Sequence, residues 1–230
     1  MKSHTIPNAG RLLALSAALG GAVFLAACGG GGGDSGPLLP KPNPVTVAPT
    51  TSCSAAGIAA STASTAAHTV CMLTSDGEIV VALDARAPLS VDNFLKYVNA
   101  KFYDNTIFHR VVPNFVAQGG GFVSGGAAKT GLNAAIKLES NIAGLSNKKY
   151  TIGMARTAAA DSATSQFYFN SVDNSGQLDY KDALNPGYAV FGSVISGTAT
   201  IDKINAEPQL APGADTPATE VLLYWAIQLK

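Results

Sequence analysis

Residues 108–120, Phe108-His109-Arg110-Val111-Val112-Pro113-Asn114-Phe115-Val116-Ala117-Gln118-Gly119-Gly120, constrain this chain more than any other stretch. They set a permanent cation among apolar residues at strand spacing and then force the chain to reverse. Alternation over 108–112 places Phe108, Arg110 and Val112 on one face of a strand and His109 and Val111 on the other. Pro113-Asn114 breaks that run, and residues 115–118 begin a second strand that ends in glycines able to take backbone angles closed to other residues. Arg110, Phe115 and Gln118 then converge from two adjacent strands. A cation beside apolar side chains suits a site that grips a neutral peptide.

The rest of the second half reads as a mainly β domain. Residues 69–73 and 78–83 flank Ser75-Asp76-Gly77, where Asp-Gly signals a hairpin. After Ala87-Pro88, Ser90 is the candidate N-cap and Asp92 a first-turn acid, with Val91, Phe94, Leu95 and Val98 at helical spacing. The spacing predicts a helix over 91–99, and a shorter one over 199–205. Residues 220–229 put Val221, Leu223, Trp225 and Ile227 on one face and partly apolar residues on the other, the pattern of a strand packed on both sides. The Gly- and Ala-rich stretch 119–133 reads as a loop. Periodicity alone predicts no more than strands with one or two helices.

The segment at 108–120 resembles the signature of the cyclophilin family of peptidyl-prolyl cis-trans isomerases. Tyr150-Thr151-Ile152-Gly153-Met154-Ala155-Arg156-Thr157, Asp161-Ser162-Ala163-Thr164-Ser165-Gln166-Phe167-Tyr168-Phe169-Asn170 and Gly187-Tyr188-Ala189-Val190-Phe191-Gly192 follow in the order of that family's bacterial branch. The resemblance implies a closed eight-stranded antiparallel barrel capped by two α-helices.

The ends read differently. Residues 1–27 carry Lys2, Arg11, an apolar run from Leu12 to Ala27 and no acidic residue, the layout of an export signal. Leu25-Ala26-Ala27-Cys28 resembles a bacterial lipobox, which implies lipidation of Cys28; Gly29 after it resembles sorting to the outer membrane, so the expected setting is the periplasmic face of that membrane. An ordinary secretory signal cut near Ala27, with Cys28 incidental, fits the same layout. Residues 28–67, rich in Gly, Pro, Ser, Thr and Ala, are expected to form a flexible tether that holds a domain at 68–230 off a membrane.

If Cys28 carries lipid, Cys53 and Cys71 remain as a pair in an oxidising compartment, either disulfide-bonded or as two separate thiols. Loss of the signal removes two of fifteen basic residues and none of fifteen acidic ones, leaving a net charge of −2. With no basic run and no aromatic-basic stripe, nucleic acid is not an expected partner. No group of His, Cys, Asp and Glu has metal-ligand spacing, so no metal or cofactor is expected.

By resemblance, Arg110 is the catalytic arginine, bonding the prolyl carbonyl oxygen and approaching the prolyl nitrogen, with Phe115 and Gln118 beside it. Phe115, Val116, Tyr168 and Leu178 correspond to the family's proline pocket, Gln118 and Gln166 to glutamines that bond the substrate backbone, and the main chain at Ala155 and Arg156 to the edge along which the peptide lies. Tyr188 stands at a further substrate-facing position, where many eukaryotic members have histidine. His109 is carried as a substrate-contact candidate, although the alternation turns it away from Arg110 and favours a core histidine. Three departures stand out: Val116 replaces a common methionine, Tyr168 replaces phenylalanine, and Gln177 stands where the family carries an aromatic wall. Weak binding of cyclosporin is expected. The resulting reading is an isomerase acting on proline-containing segments of exported proteins, with a catalytically weak peptide-binding module as the rival.

Overall fold

The computed structural model describes residues 39–230. The signal-like segment, Cys28 and residues 29–33 lie outside the described residues.

The hairpin forms between β1 (His68–Thr74) and β2 (Gly77–Leu83), in register from His68 opposite Leu83 to Thr74 opposite Gly77. Thr74 Oγ1 accepts from the N–H groups of Asp76 and Gly77 at 3.1 Å each, tying the turn to its own strand. Seven further strands follow: β3 (Thr106–Ile107), β4 (Arg110–Val112), β5 (Val116–Gly119), β6 (Thr151–Met154), β7 (Phe167–Asn170), β8 (Val190–Ser196) and β9 (Leu222–Gln228). They make one antiparallel sheet in the order β3-β9-β1-β2-β8-β6-β7-β5-β4.

The expected closed eight-stranded barrel is corrected here. The described sheet has nine strands and is a curled sheet whose ladder stays open between its end strands, β3 and β4. Only Phe108 and His109 separate those two strands. The Phe108 N–H goes to Val221 O and the Val111 N–H to Asp215 O, so donors that could bridge the gap are taken by the segment leading into β9.

One face of the sheet holds the main core, including Val70, Met72, Ile79, Val81, Phe108, Val111, Ala117, Phe167, Phe169 and Phe191. Phe108 therefore shares a cluster with Val111, not a face with Arg110; the alternation expected across 108–112 fails because the chain leaves the ladder at 108–109. Helix α2 (Pro88–Asn99) drives Phe94 against Tyr103, Phe167 and Phe191, with ring centroids 5.2, 5.6 and 5.2 Å away. It begins earlier than predicted, and Ser90 is not its cap. The N–H groups of Leu89 and Ser90 and the Ser90 hydroxyl all donate to the Glu139 carboxylate, which sits at the positive end of the helix. Helix α4 (Thr198–Asn205) buries Ile201 and Ile204.

Two more helices, α1 (Ala55–Ala63) and the single turn α3 (Ser175–Leu178), make four among the described residues, where two were expected. The expected tether also needs correction, because its described part lies on the sheet. Lys41 pairs with Thr219, Asn43 Nδ2 donates to Glu220 O, the Tyr224 hydroxyl to Val45 O, and Trp225 Nε1 to Thr50 O. Cys53 is joined to Cys71 in β1 by a disulfide, and Ser54 N-caps α1 while its own N–H and hydroxyl reach Glu78. This strap covers a second cluster, Cys53, Cys71, Leu73, Val80, Ile107, Leu222, Tyr224 and Trp225, on the opposite face of the sheet. The apolar second face of β9 has its cover there.

Candidate active site

Four strands set the site as one row of register partners. Arg110 in β4 faces Gln118 in β5, Gln118 faces Tyr168 in β7, and Tyr168 faces Gly153 in β6. Neighbours across a ladder project to the same face, so the cation, the amide and the phenol lie side by side.

The reversal that brings β5 back along β4 is built by Pro113 and Asn114, the latter at φ 55°, a left-handed angle that asparagine tolerates better than most residues. Phe115 N–H closes the turn on Val112 O, and Asn205 of α4 clamps it from outside, accepting from Asn114 N–H and donating to Val112 O. Ser171 N–H and Asn174 Nδ2 both donate to Phe115 O, so this residue is fixed through its backbone while its ring stays half-buried.

Val116, Ala155, Tyr168 and Leu178 form a separate buried apolar cluster, with Phe115 and Tyr188 packed against it. The structure thus gathers all four residues expected in the proline pocket. Leu178 comes from α3, and its carbonyl accepts the Tyr188 N–H at 2.9 Å. Tyr168 is fully buried, and its hydroxyl donates to Asn147 Oδ1 at 2.6 Å; Asn147 in turn donates to Asp179. Burial, then the nearby Tyr188 and Asp179, push the Tyr168 phenol well above its usual pKa, so it remains a protonated donor. The extra hydroxyl is turned into this network.

The polar side of the row is held more loosely. Gln118, 1% exposed, donates from Nε2 to Gln166 Oε1 at 2.9 Å, while its own Oε1 is buried without a partner. Arg110 is gripped by Asp215: Nε and Nη2 each lie 3.0 Å from the same carboxylate oxygen, Oδ2. Its Nη1 is buried and unpartnered.

Three further residues expected to meet substrate, Ala155 and Arg156 through their main chain and His109, have the following surroundings. The Ala155 N–H is used internally, donating to Gln166 O at 3.0 Å. The Arg156 guanidinium is a brace: Nε and Nη2 donate to Gly187 O, Nη1 to Thr157 O, and the group lies 4.4 Å over the Tyr188 ring. His109 is not in the site. Its ring sits 4.5 Å from that of Phe122 and lines a separate cavity of about 480 Å³ with Leu39, Pro40, Pro42 and Pro217. Burial and then the charge of Arg110 lower its pKa to about 4, so it is neutral at pH 7. Gln177 is exposed on α3.

Among the described residues, one trio has ligand atoms close enough to hold a metal, Cys53, Cys71 and Glu78, but both sulfurs are in the disulfide and the carboxylate is engaged by Ser54. Sequence reasoning missed Asp215 and Asn147, which reach the site from loops and carry no spacing signal, and Gly153, whose meaning appears only opposite Tyr168.

A family model described as cyclophilin type peptidyl-prolyl cis-trans isomerase/CLD matches residues 69–224. Over 175 residues the chain is 44% identical to peptidyl-prolyl cis-trans isomerase A of Dickeya dadantii, covering 73% of this chain and 87% of that one. It is 42% identical over 154 residues to peptidyl-prolyl cis-trans isomerase B of Escherichia coli, covering 65% and 93%. A crystal structure of a Cryptosporidium parvum cyclophilin type isomerase superposes with a TM-score of 0.57 at 22% identity, covering 70% of this chain and 96% of that one, a likeness of fold alone. A second structure of that protein, in the presence of the dipeptide Ala-Pro, gives 0.56 over 69% and 97%. With its Arg110–Gln118–Tyr168 row beside a buried apolar cluster and a family match over most of its length, this chain belongs to the cyclophilin-type peptidyl-prolyl cis-trans isomerases.

Proposed function

We propose that this isomerase acts on X-Pro bonds of exported proteins, binding the proline ring against Phe115, Val116, Tyr168 and Leu178 and the flanking peptide group between Arg110 and Gln118. Two atoms carry the reading: a donor, Arg110 Nη1, and an acceptor, Gln118 Oε1, both buried without partners on residues that face each other across the ladder. Buried polar groups are ordinarily satisfied, and a peptide offers both a carbonyl and an N–H. A structure of the C. parvum relative was determined in the presence of the dipeptide Ala-Pro, which carries the X-Pro carbonyl that a donor such as Arg110 Nη1 would meet.

Rotation about the X-Pro bond crosses a barrier of about 20 kcal/mol because the amide loses its conjugation. No covalent bond breaks. As the bond twists, the lone pair returns to the prolyl nitrogen, and a fixed cation favours that state over either planar form. Arg110 supplies that cation, and the apolar wall holds the ring while the rest of the peptide turns.

The envelope setting is supported by the signal-like residues 1–27, the lipobox-like Cys28 and the Cys53–Cys71 bond, of a kind uncommon in reducing compartments. Incorporation of labelled fatty acid, abolished by Cys28→Ala, is the expected result; equal labelling of the variant contradicts the anchor. For the chemistry, NMR exchange of an Ala-Pro peptide is expected to be accelerated by the mature chain and to slow about a hundredfold with Arg110→Ala. Unchanged exchange in that variant contradicts the role of Arg110.

A further inference from the structure

Arg110 does not stand alone, and the way it is held suggests a role for a residue 105 positions away in the chain. The Asp215 carboxylate takes both Nε and Nη2 of the guanidinium on one oxygen, each at 3.0 Å. That grip engages one edge of the planar group and leaves Nη1, on the other side, without a partner. A free arginine side chain samples many rotamers, and a clamp at the Nε edge removes much of that freedom before any substrate arrives.

Asp215 is itself anchored to the strand it serves. Its carbonyl accepts the N–H of Val111, the residue after Arg110, at 2.7 Å. The turn around it is closed by Leu210 N–H to Thr216 O, Ala214 N–H to Ala211 O and a bridge between Gln209 and Pro217. Backbone and carboxylate of one residue therefore fix the main chain and the side chain of the arginine together. As a contribution to stability the ion pair is modest: the Asp215 side chain is 44% exposed, and pairs so open to water are worth little. Its geometry is what distinguishes it.

We propose that Asp215 is a positioning residue for the isomerisation, holding the Arg110 guanidinium in the orientation that aims it at the twisting amide. The inference rests on Arg110 as the catalytic donor. Its energetic signature is a loss in kcat, because a misdirected donor costs transition-state stabilisation, while substrate binding through the apolar pocket is retained.

The test is a double-mutant cycle with Ala-Pro peptide exchange as readout, in the mature chain with its strap and disulfide intact. Asp215→Ala is expected to lower kcat about tenfold with KM within about twofold, and Asp215→Glu to recover part of the loss. In the Arg110→Ala background, Asp215→Ala is expected to change nothing further. The Arg110 Nε–H resonance is expected to exchange slowly in the parent and to broaden into the solvent-exchanging set in Asp215→Ala. Should Asp215→Ala melt early, Asp215→Asn, which keeps the size and loses the charge, carries the same comparison. An unchanged kcat in a folded Asp215 variant, with Arg110→Ala still impaired, overturns the proposal and leaves the catalytic reading intact. An equal loss in both backgrounds also overturns it, since the aspartate would then act through the loop and not through the arginine. A silent Arg110→Ala brings down the catalytic reading and this proposal with it.

Discussion

Gly153 lies directly behind the phenol of Tyr168: the two are register partners across β6 and β7, and a Cβ at 153 would fall inside the contact distance of the Tyr168 hydroxyl and ring. The pocket wall can carry a tyrosine because the facing strand carries no side chain. Gly153→Ala is expected to destabilise the fold by about 1–3 kcal/mol, as overpacking of a closed site does. Adding Tyr168→Phe should recover part of that loss, and denaturant midpoints of the three variants measure it. Full additivity of the two substitutions would contradict the contact.

His109 sets an acid limit on stability. Its pKa is lowered to about 4 in the fold against an unfolded value near 6.5, so between those values the unfolded chain binds the proton and the folded chain does not. Stability from this group is complete above pH 6.5 and is lost as pH falls towards 4. The loss between pH 7 and pH 5 should be on the order of 2 kcal/mol. The unfolding free energy of His109→Phe should lack that share of the pH dependence; identical slopes in both proteins would exclude it.

The Cys53–Cys71 bond spans 18 residues of sequence and staples the strap to β1. Loop closure of that length gives a ceiling of about 3 kcal/mol. Reduction is expected to lower the melting temperature while leaving isomerisation at 25 °C within about twofold, because the cluster it braces is separate from the one around Tyr168. A melt unmoved after both thiols have been titrated would contradict the staple.

Cyclosporin should bind weakly. The position that resembles the family's aromatic wall holds Gln177, exposed on α3, and the chain's single tryptophan is in β9. A submicromolar Kd by calorimetry would overturn this, and Gln177→Trp is the variant expected to tighten binding.

What could be read from the sequence was whatever rests on local spacing. Asp76-Gly77 marks its hairpin because the turn residues must sit between the strands they join, and Arg110 and Gln118 meet because Pro113-Asn114 fixes where the chain reverses. Alternation failed at Phe108, where two residues leave the ladder to pass from β3 to β4. Long-range partners left no trace: Glu139 caps α2 from 49 residues away, and Asp215 meets Arg110 across 105. The strap was missed for a different reason. Its Pro- and Ser-rich composition is that of a free segment, but it is held largely through backbone atoms, at Lys41, Val45 and Thr50, and main-chain contacts do not register in composition.

The hydrogen bond from Trp225 to Thr50 makes the molecule its own optical probe. The chain's one tryptophan is 8% exposed beneath the strap, in a cluster separate from the one around Tyr168. Its emission should redden when the strap lifts and stay constant when a peptide fills the pocket. A fluorescence titration that appears blank would therefore say nothing against binding, whereas a fluorescence melt that precedes loss of activity would mark the release of residues 39–53 as a separate event.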